Sequence, residues 1–261
     1  MTPKYEFTDE VNERLGFPTL RRIRAVRDFG DVKAGTLGGW IGSEYNLSHE
    51  GLAWVADEAK VYEDACILGD AKVCGNAIVR DSVRVRETAF IGENAVVFGV
   101  SHISGNAKII GAAILCDVVV NNNAIVGAVQ IPGLARLGVG ARAQSERDYL
   151  LCGPIGQNNS FVTFYRAEKP AQIGVAAGCF NGTLDEFLDR LQEDYGRHIH
   201  LLQQLKATDE ASRLEMLRDE YLEIAAFAER RFARCAAQNN ERNANDETTK
   251  ENAGRIETQD F

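Results

Sequence analysis

The sequence lacks several features that would assign it quickly to a class of protein. No apolar run approaches the roughly 18 residues of a membrane-spanning helix. The first segment, MTPKYEFTDEVNERLGF, has no apolar signal core, which predicts a cytoplasmic protein. The cysteines show no CxxC spacing, so we expect reduced thiols that pack as small apolar side chains, not disulfides or a metal site.

Basic residues and histidines are also scarce. The 29 Lys and Arg residues are outnumbered by 38 Asp and Glu, which gives a formal net charge of −9. Nucleic-acid binding normally needs a basic surface, so this balance argues against a nucleic-acid partner. With only 4 histidines, few side chains can serve as a general base near neutral pH.

A six-residue repeat is the main feature that the sequence does contain. A small residue, any residue and an aliphatic residue recur without interruption in nine units, from Ala59-x-Val61 to Ala107-x-Ile109. We place a one-residue slip next, so that the repeat resumes at Ala112-x-Ile114. A second slip precedes Val129-x-Ile131, and the last unit is Ala141-x-Ala143. Fixed periodicity of this kind is typical of a solenoid.

Six residues make one short extended segment and one tight corner, and three such segments close a triangular coil. The aliphatic residue points inward, while Gly, Asn and Asp suit the corners because they tolerate unusual backbone angles. Stacked coils pair as parallel strands about 4.8 Å apart. The repeat therefore predicts a mainly β protein with a parallel β-helix of about five coils.

The hexads resemble those of the hexapeptide-repeat, left-handed β-helix superfamily. Residues 28–55, DFGDVKAGTLGGWIGSEYNLSHEGLAWV, resemble more specifically the bacterial YdcK-type proteins, commonly labelled uncharacterised acetyltransferases. The residues that carry this match are Gly35, Gly38, Gly39, Trp40, Asn46, Leu47, Ser48, Gly51 and Trp54. The resemblance implies a left-handed helix and a trimer that binds acetyl-CoA or another acyl-CoA between subunits, with a histidine as general base.

The chain after the repeat predicts a different structure. SFVTFYR (160–166) and QIGVAAG (172–178) are typical of a β-hairpin, and Thr183 is a good N-cap for a helix. Residues 153–187 resemble the C-terminal module of β-helix proteins from phages and gut bacteria. The predicted domains are an N-terminal cap and first coil (1–54), the β-helix (55–145), a β-hairpin module (146–182), amphipathic helices (183–237) and a disordered polar tail (238–261).

Three sets of residues are candidates for function. His102 lies outward on a coil and is the candidate base of an acyltransferase, although the interpretation we favour is a plain surface histidine. Backbone amides near a helix N-terminus predict a ligand or anion site, formed by Gly153, Gly156, Asn158, Gly182 and Thr183. An apolar helix stripe predicts an oligomer or partner contact through Leu214, Leu217, Tyr221, Ile224 and Phe232. No metal site is predicted.

Two functions follow from these features. The first is a non-enzymatic binding scaffold without a cofactor, encoded by a phage or mobile element and directed at a host bacterial protein such as a defence component. The alternative is a hexapeptide-type acyltransferase that uses acyl-CoA. Both predict a homo-oligomer, with a trimer favoured over a dimer, and no membrane partner. The absence of a long loop within the nine hexads favours the scaffold.

Overall fold

The computed structural model of the protein describes residues 2–13, 18–156, 159–169 and 171–256, with side chains described as far as residue 236. A parallel β-solenoid of about six coils is followed by an antiparallel sheet and two helices. The mainly β prediction is confirmed. The hexads of 55–145 were predicted to form about five coils, and the segment 37–55 adds a coil at the N-terminal end, within the region 1–54 predicted to contain the cap and first coil.

The N-terminal end of the solenoid is covered by a hairpin, β1 (Tyr5–Asn12) and β2 (Leu20–Ala25), which continues antiparallel into β3 (Leu37–Ile41). Lys4 is completely buried there, and its Nζ donates to the carbonyl oxygen of Ala53 at 2.8 Å. Burial lowers the pKa of this amine to about 8, and the charge of Arg27 acts in the same direction.

Short strands build the coils and stack into three flat faces. They are β4 (Trp54–Val55), β5 (Lys60–Val61), β6 (Cys66–Ile67), β7 (Lys72–Val73), β8 (Ile78–Val79), β9 (Arg84–Val85), β10 (Phe90–Ile91), β11 (Val96–Phe98), β12 (His102–Ile103), β13 (Lys108–Ile109), β14 (Ile114–Cys116), β15 (Val119–Val120), β16 (Ile125–Val126), β17 (Gln130–Ile131), β18 (Arg136–Leu137) and β19 (Arg142–Ala143). The first face is β3-β5-β8-β11-β14-β17, the second is β4-β7-β10-β13-β16-β19, and the third is β6-β9-β12-β15-β18.

The inward positions of the repeat are buried as predicted, from Ala59 to Ala143, but the first slip was placed one unit too early. Ala113 and Leu115 are the buried pair, whereas Ile114 is 40% exposed. The segment Ala112–Leu115 fits the small-x-aliphatic pattern in either phase. The slip instead falls in the coil between Ser101 and Val118, where the backbone N–H of Val118 donates to the buried hydroxyl of Ser101 at 3.2 Å.

Carboxylates at the corners bond each coil to the next one. Each accepts a backbone N–H eighteen residues further along, in the pairs Asp57 with Gly75, Glu63 with Asp81, Asp81 with Gly99, Glu87 with Gly105 and Glu93 with Gly111. Several of these residues adopt positive φ, as Glu87 does at 61°. A charge-assisted hydrogen bond offsets part of the cost of that conformation.

The C-terminal end of the solenoid is covered by an antiparallel sheet of β20 (Tyr149–Ile155), β21 (Ser160–Arg166), β22 (Ile173–Ala177) and β23 (Phe180–Thr183), in that order. The predicted hairpin is its centre. Residues of β21 alternate between the two sides of the sheet. Tyr165 packs into the core of the solenoid, and Phe164 packs against the helices.

The helices are α1 (Leu184–Gln204) and α2 (Thr208–Ile256). The capping box of Thr183 and Glu186 is confirmed at the start of α1, which then continues through Gly196. We predicted an end of α2 near Ala237, but its backbone is helical to Ile256. The segment after Ala237 contains no proline and no glycine before Gly254, so nothing in it forces the helix to stop.

Two further predictions concern the surface. All cysteines are free, as predicted, but they lie half-buried or exposed, so their expected core packing is wrong. For Cys66, Cys74 and Cys116 the reason is that the inward positions of the coils are already taken by the repeat residues. Among the described helices, none combines the length and apolar character that crossing a membrane requires.

Candidate functional site on the basic face

The third face of the solenoid carries the predicted base, and we call it the basic face. His102 on β12 pairs in register with Arg84 on one side and with Val119 on the other. Adjacent strands lie about 4.8 Å apart, so the imidazole and the Arg84 side chain project from neighbouring coils. Arg136 continues the same column beyond Val119, and Arg86 lies two residues after Arg84 on the same side.

The cations of the basic face are available to an external anion. Arg84, Arg86 and Arg136 are exposed, and His102 is half-buried. Among the described side chains, no carboxylate lies within ion-pair distance of these three arginines. The imidazole likewise has no side-chain hydrogen bond within the described part of the chain, so no carboxylate orients it. The face can attract an anion and offers one group able to exchange a proton.

The first face is apolar in its central coils, and we call these coils the apolar face. Ile78, Val96 and Ile114 are successive partners in one column, and Phe98 lies beside them. These side chains are half-buried or exposed in the single chain. Arg80 is the charged neighbour of this group and lies over the Phe98 ring, at 4.6 Å from its centroid. A contiguous apolar surface of this kind is typical of a contact with another protein chain.

The other histidines have local roles. His49 accepts a hydrogen bond at Nδ1 from the backbone N–H of Lys4 and stacks on Tyr5, with ring centroids 4.3 Å apart. It therefore stabilises the N-terminal hairpin. His198 and His200 are exposed on α1 and contact residues of their own helix. No cluster that could hold a metal ion occurs among the described residues.

The amides of the predicted anion site bond within the protein. The N–H of Gly156 donates to a carboxylate oxygen of Glu220 on α2, at 3.1 Å. At the start of α1, the N–H of Thr183 donates to Glu186 at 2.8 Å. These acidic side chains take the places that a ligand anion would occupy at the two amides.

The remaining residues of that prediction do not gather around one space. Gly153 lies against Phe161, and Gly182 lies against Phe180 and Glu186. Asn158 lies outside the described residues. Ligand binding by these residues stays a prediction. A ligand anion would have to replace Glu220 at the amide of Gly156 and Glu186 at the amide of Thr183.

The predicted partner stripe of α2 packs largely within the chain. Phe232 is buried against the sheet, and Tyr221 and Ile224 belong to the same cluster. Leu214 and Leu217 line a cavity of about 490 Å³ between α1 and α2. The stripe is apolar because it covers the C-terminal sheet, so its amphipathic spacing alone gives no evidence for an intermolecular contact.

Comparison with known proteins gives one partial likeness. The Escherichia coli K12 protein named uncharacterized acetyltransferase YdcK is 54% identical to this chain over 39 residues. The match covers 15% of this chain and 12% of that protein. No protein-family model matches the chain. The YdcK part of the resemblance is thereby confirmed, while the hexapeptide superfamily, the handedness and the likeness of the C-terminal module stay predictions.

Sequence reasoning identified His102 but missed its basic neighbours. Arg84 precedes His102 by eighteen residues, which is one full coil, and that spacing alone predicts adjacent side chains on one face. Arg136 lies in the same column as His102, but a spacing of eighteen residues per coil does not predict this. Each of the two slips shortens a coil between them by one residue.

Proposed function

We propose that this protein is an acyl-CoA-dependent acyltransferase that works as a homo-oligomer, with its active site on the basic face. The observation that carries the proposal is the position of His102 next to Arg84, on a face whose exposed arginines have no carboxylate within ion-pair distance among the described side chains. The likeness to a protein named an acetyltransferase supports the same activity. The fold itself is compatible with many functions and does not decide between them.

In this proposal the arginines bind the substrate through its phosphate groups. Guanidinium groups form paired, charge-assisted hydrogen bonds with phosphate, and acyl-CoA carries several phosphates. Arg84 and Arg86 lie on the face that carries His102, and in this proposal they bind phosphate groups of the acyl-CoA whose thioester reacts at the imidazole. The apolar face contributes the contact with a neighbouring subunit, and a trimer remains our preferred assembly.

The chemical step is a proton-assisted transfer. A hydroxyl or amine of the acceptor attacks the thioester carbonyl, and neutral His102 takes the acceptor proton. The new acyl–oxygen or acyl–nitrogen bond forms as the carbon–sulfur bond breaks. The proton then passes from the imidazolium to the departing CoA thiolate, so that free CoA and an acylated acceptor leave together.

The test combines binding and turnover. Acetyl-CoA is titrated by calorimetry into the purified protein, and thiol release is followed with a panel of amine and hydroxyl acceptors. His102→Ala should keep acetyl-CoA binding but reduce turnover by about 10²-fold or more, the range for loss of a general base. Arg84→Gln should weaken binding. The control is His200→Ala, which removes an exposed histidine on α1 and should change neither property.

A binding scaffold is the second candidate, and one observation favours it: among the described residues, no side chain orients His102, as a general base normally requires. In this case acetyl-CoA would produce no heat and no thiol release. The partner, which we predicted to be a host bacterial protein, would then be captured without turnover. Release of CoA that depends on His102 would contradict a purely non-enzymatic scaffold function.

A further inference from the structure

A second basic site lies on α2, far along the chain from His102. Phe227, Arg230, Arg231 and Arg234 follow the spacing i, i+3, i+4 and i+7, so they project from one side of the helix. Together with Cys235 they line a cavity of about 350 Å³. Volumes in this range are typical of sites for small molecules.

The charges in this cavity are not neutralised by the described side chains. Arg230 and Arg234 are exposed and make no ion pair or hydrogen bond with them. Because these two residues are four apart on a helix, their like charges destabilise it. An anion bound between the two guanidinium groups would offset this repulsion.

Arg231 fixes the wall of the cavity. Its Nη2 donates to the carbonyl oxygens of Glu146, at 3.0 Å, and Tyr149, at 3.3 Å, which joins α2 to the start of β20. Its Nε–H is buried and has no acceptor among the described residues. Arg231 therefore acts as a positioning residue, while the guanidinium groups of Arg230 and Arg234 have no ion-pair partner among the side chains described up to residue 236.

We propose that this cavity binds a small phosphorylated molecule with an aromatic ring, that is, a nucleotide. The free guanidinium groups match phosphate oxygens in geometry and charge. Phe227 is 50% exposed and offers a ring on which a base can stack. The cavity is too small for a polymer, and the negative charge of the whole protein repels an extended nucleic acid.

This proposal does not depend on the acyltransferase activity. Acyl-CoA contains a nucleotide and shares the relevant chemistry, so the two sites have to be separated by variants. Acetyl-CoA binding that is lost in Arg230→Gln/Arg234→Gln but kept in Arg84→Gln would support the helix cavity as the site of its nucleotide part. Binding lost only in Arg84→Gln would leave the helix cavity to a nucleotide other than acyl-CoA.

The test uses ADP and pyrophosphate as probes in calorimetric titrations of the full chain. ADP should bind at one site per chain, and Arg230→Gln/Arg234→Gln should raise its Kd by at least about tenfold. Phe227→Ala should weaken ADP but leave the affinity for pyrophosphate unchanged. Two controls should behave as wild type: Arg197→Gln, an exposed arginine paired with Glu193 on α1, and Met216→Ala, an exposed residue of α2.

Any one of the following results would overturn the proposal. The first is no ADP binding by the wild-type protein at millimolar concentration, and the second is an unchanged Kd in Arg230→Gln/Arg234→Gln. The third is a change in the solution mass of that variant without a change in ADP affinity, which would identify the arginine face as a protein–protein contact. If Phe227→Ala weakens ADP and pyrophosphate equally, the ring makes no stacking contact and the nucleotide class is wrong.

Discussion

The buried amine of Lys4 predicts a dependence of stability on pH that one substitution should remove. Burial lowers its pKa in the folded protein from 10.5 to about 8, whereas the unfolded chain keeps the ordinary value. Between these values the unfolded chain binds more protons than the folded chain. The free energy of unfolding contributed by this group therefore rises as the pH increases from about 8 to 10.5.

The size of the effect follows from the same two values. A fall in pKa from 10.5 to about 8 corresponds to about 3 kcal/mol as an upper limit, at about 1.4 kcal/mol for each pKa unit. Solvent screening near the end of the solenoid reduces this figure, and we expect a rise of about 2 kcal/mol by pH 10. The direction follows from the burial of Nζ among backbone carbonyls and its proximity to Arg27.

Urea unfolding of the wild type and Lys4→Met at several pH values between about 7 and 10 measures the effect. Buried thiols and phenols with raised pKa values, such as Cys152 and Tyr165, lower stability at high pH in both proteins and cancel in the difference. Lys33→Met, which removes an exposed lysine of the same N-terminal region, should follow the wild type. Parallel curves for wild type and Lys4→Met would refute the reasoning.

Three further predictions concern the packing. Ser101→Ala should lower the free energy of unfolding by about 1 to 3 kcal/mol in urea, because the N–H of Val118 loses its acceptor. Gly51→Ala should lower the free energy of unfolding by more than about 2 kcal/mol, because φ is +63° and an added Cβ overlaps the next coil. Gly35 also has positive φ but has open space around it, so Gly35→Ala should cost only about 1 kcal/mol. Thermal unfolding of the two variants measures this difference. Phe232→Ala should destabilise the C-terminal module by about 3 to 5 kcal/mol, measured by hydrogen exchange of β21 and β22.

Each of these predictions has a result that contradicts it. Wild-type stability of Ser101→Ala would mean that the Val118 amide finds another acceptor. Equal melting temperatures for Gly51→Ala and Gly35→Ala would show that the close approach between coils does not limit the side chain. Unchanged protection of β21 and β22 in Phe232→Ala would mean that α2 contributes little to the sheet.

The solenoid could be predicted from the sequence because its signal is repeated many times. Each hexad places one small and one aliphatic residue inward, so an error in one unit leaves the others intact. The misplaced slip shows the limit of reading a repeat from sequence. Ala112 and Ala113 suit the small position equally well, and Ile114 and Leu115 suit the aliphatic position equally well. Only the tertiary structure, in which a serine hydroxyl completes the shortened coil, decides between the two phases.

The C-terminal sheet and the candidate sites were harder to predict. β20 contains Gly153-Pro154 and β23 contains Asn181-Gly182, pairs that are typical of turns, so neither segment indicates a strand. The hydrogen bond between the amide of Gly156 and Glu220 could not be predicted for a related reason, because which carboxylate reaches that amide depends on how α2 folds back over the sheet. Such contacts between distant segments leave no local pattern.

The corner hydrogen bonds join one coil to the next, so the distance between the two ends of the solenoid depends on the number of coils. Between Asp57 and Gly111 the corner carboxylates bond each coil to the next one eighteen residues on, so this part of the stack contains similar units that contact only their neighbours. Duplicating eighteen residues would add one unit and separate the N-terminal hairpin from the C-terminal sheet by about 4.8 Å more. The solenoid thus sets the spacing between its two end structures in steps of one coil.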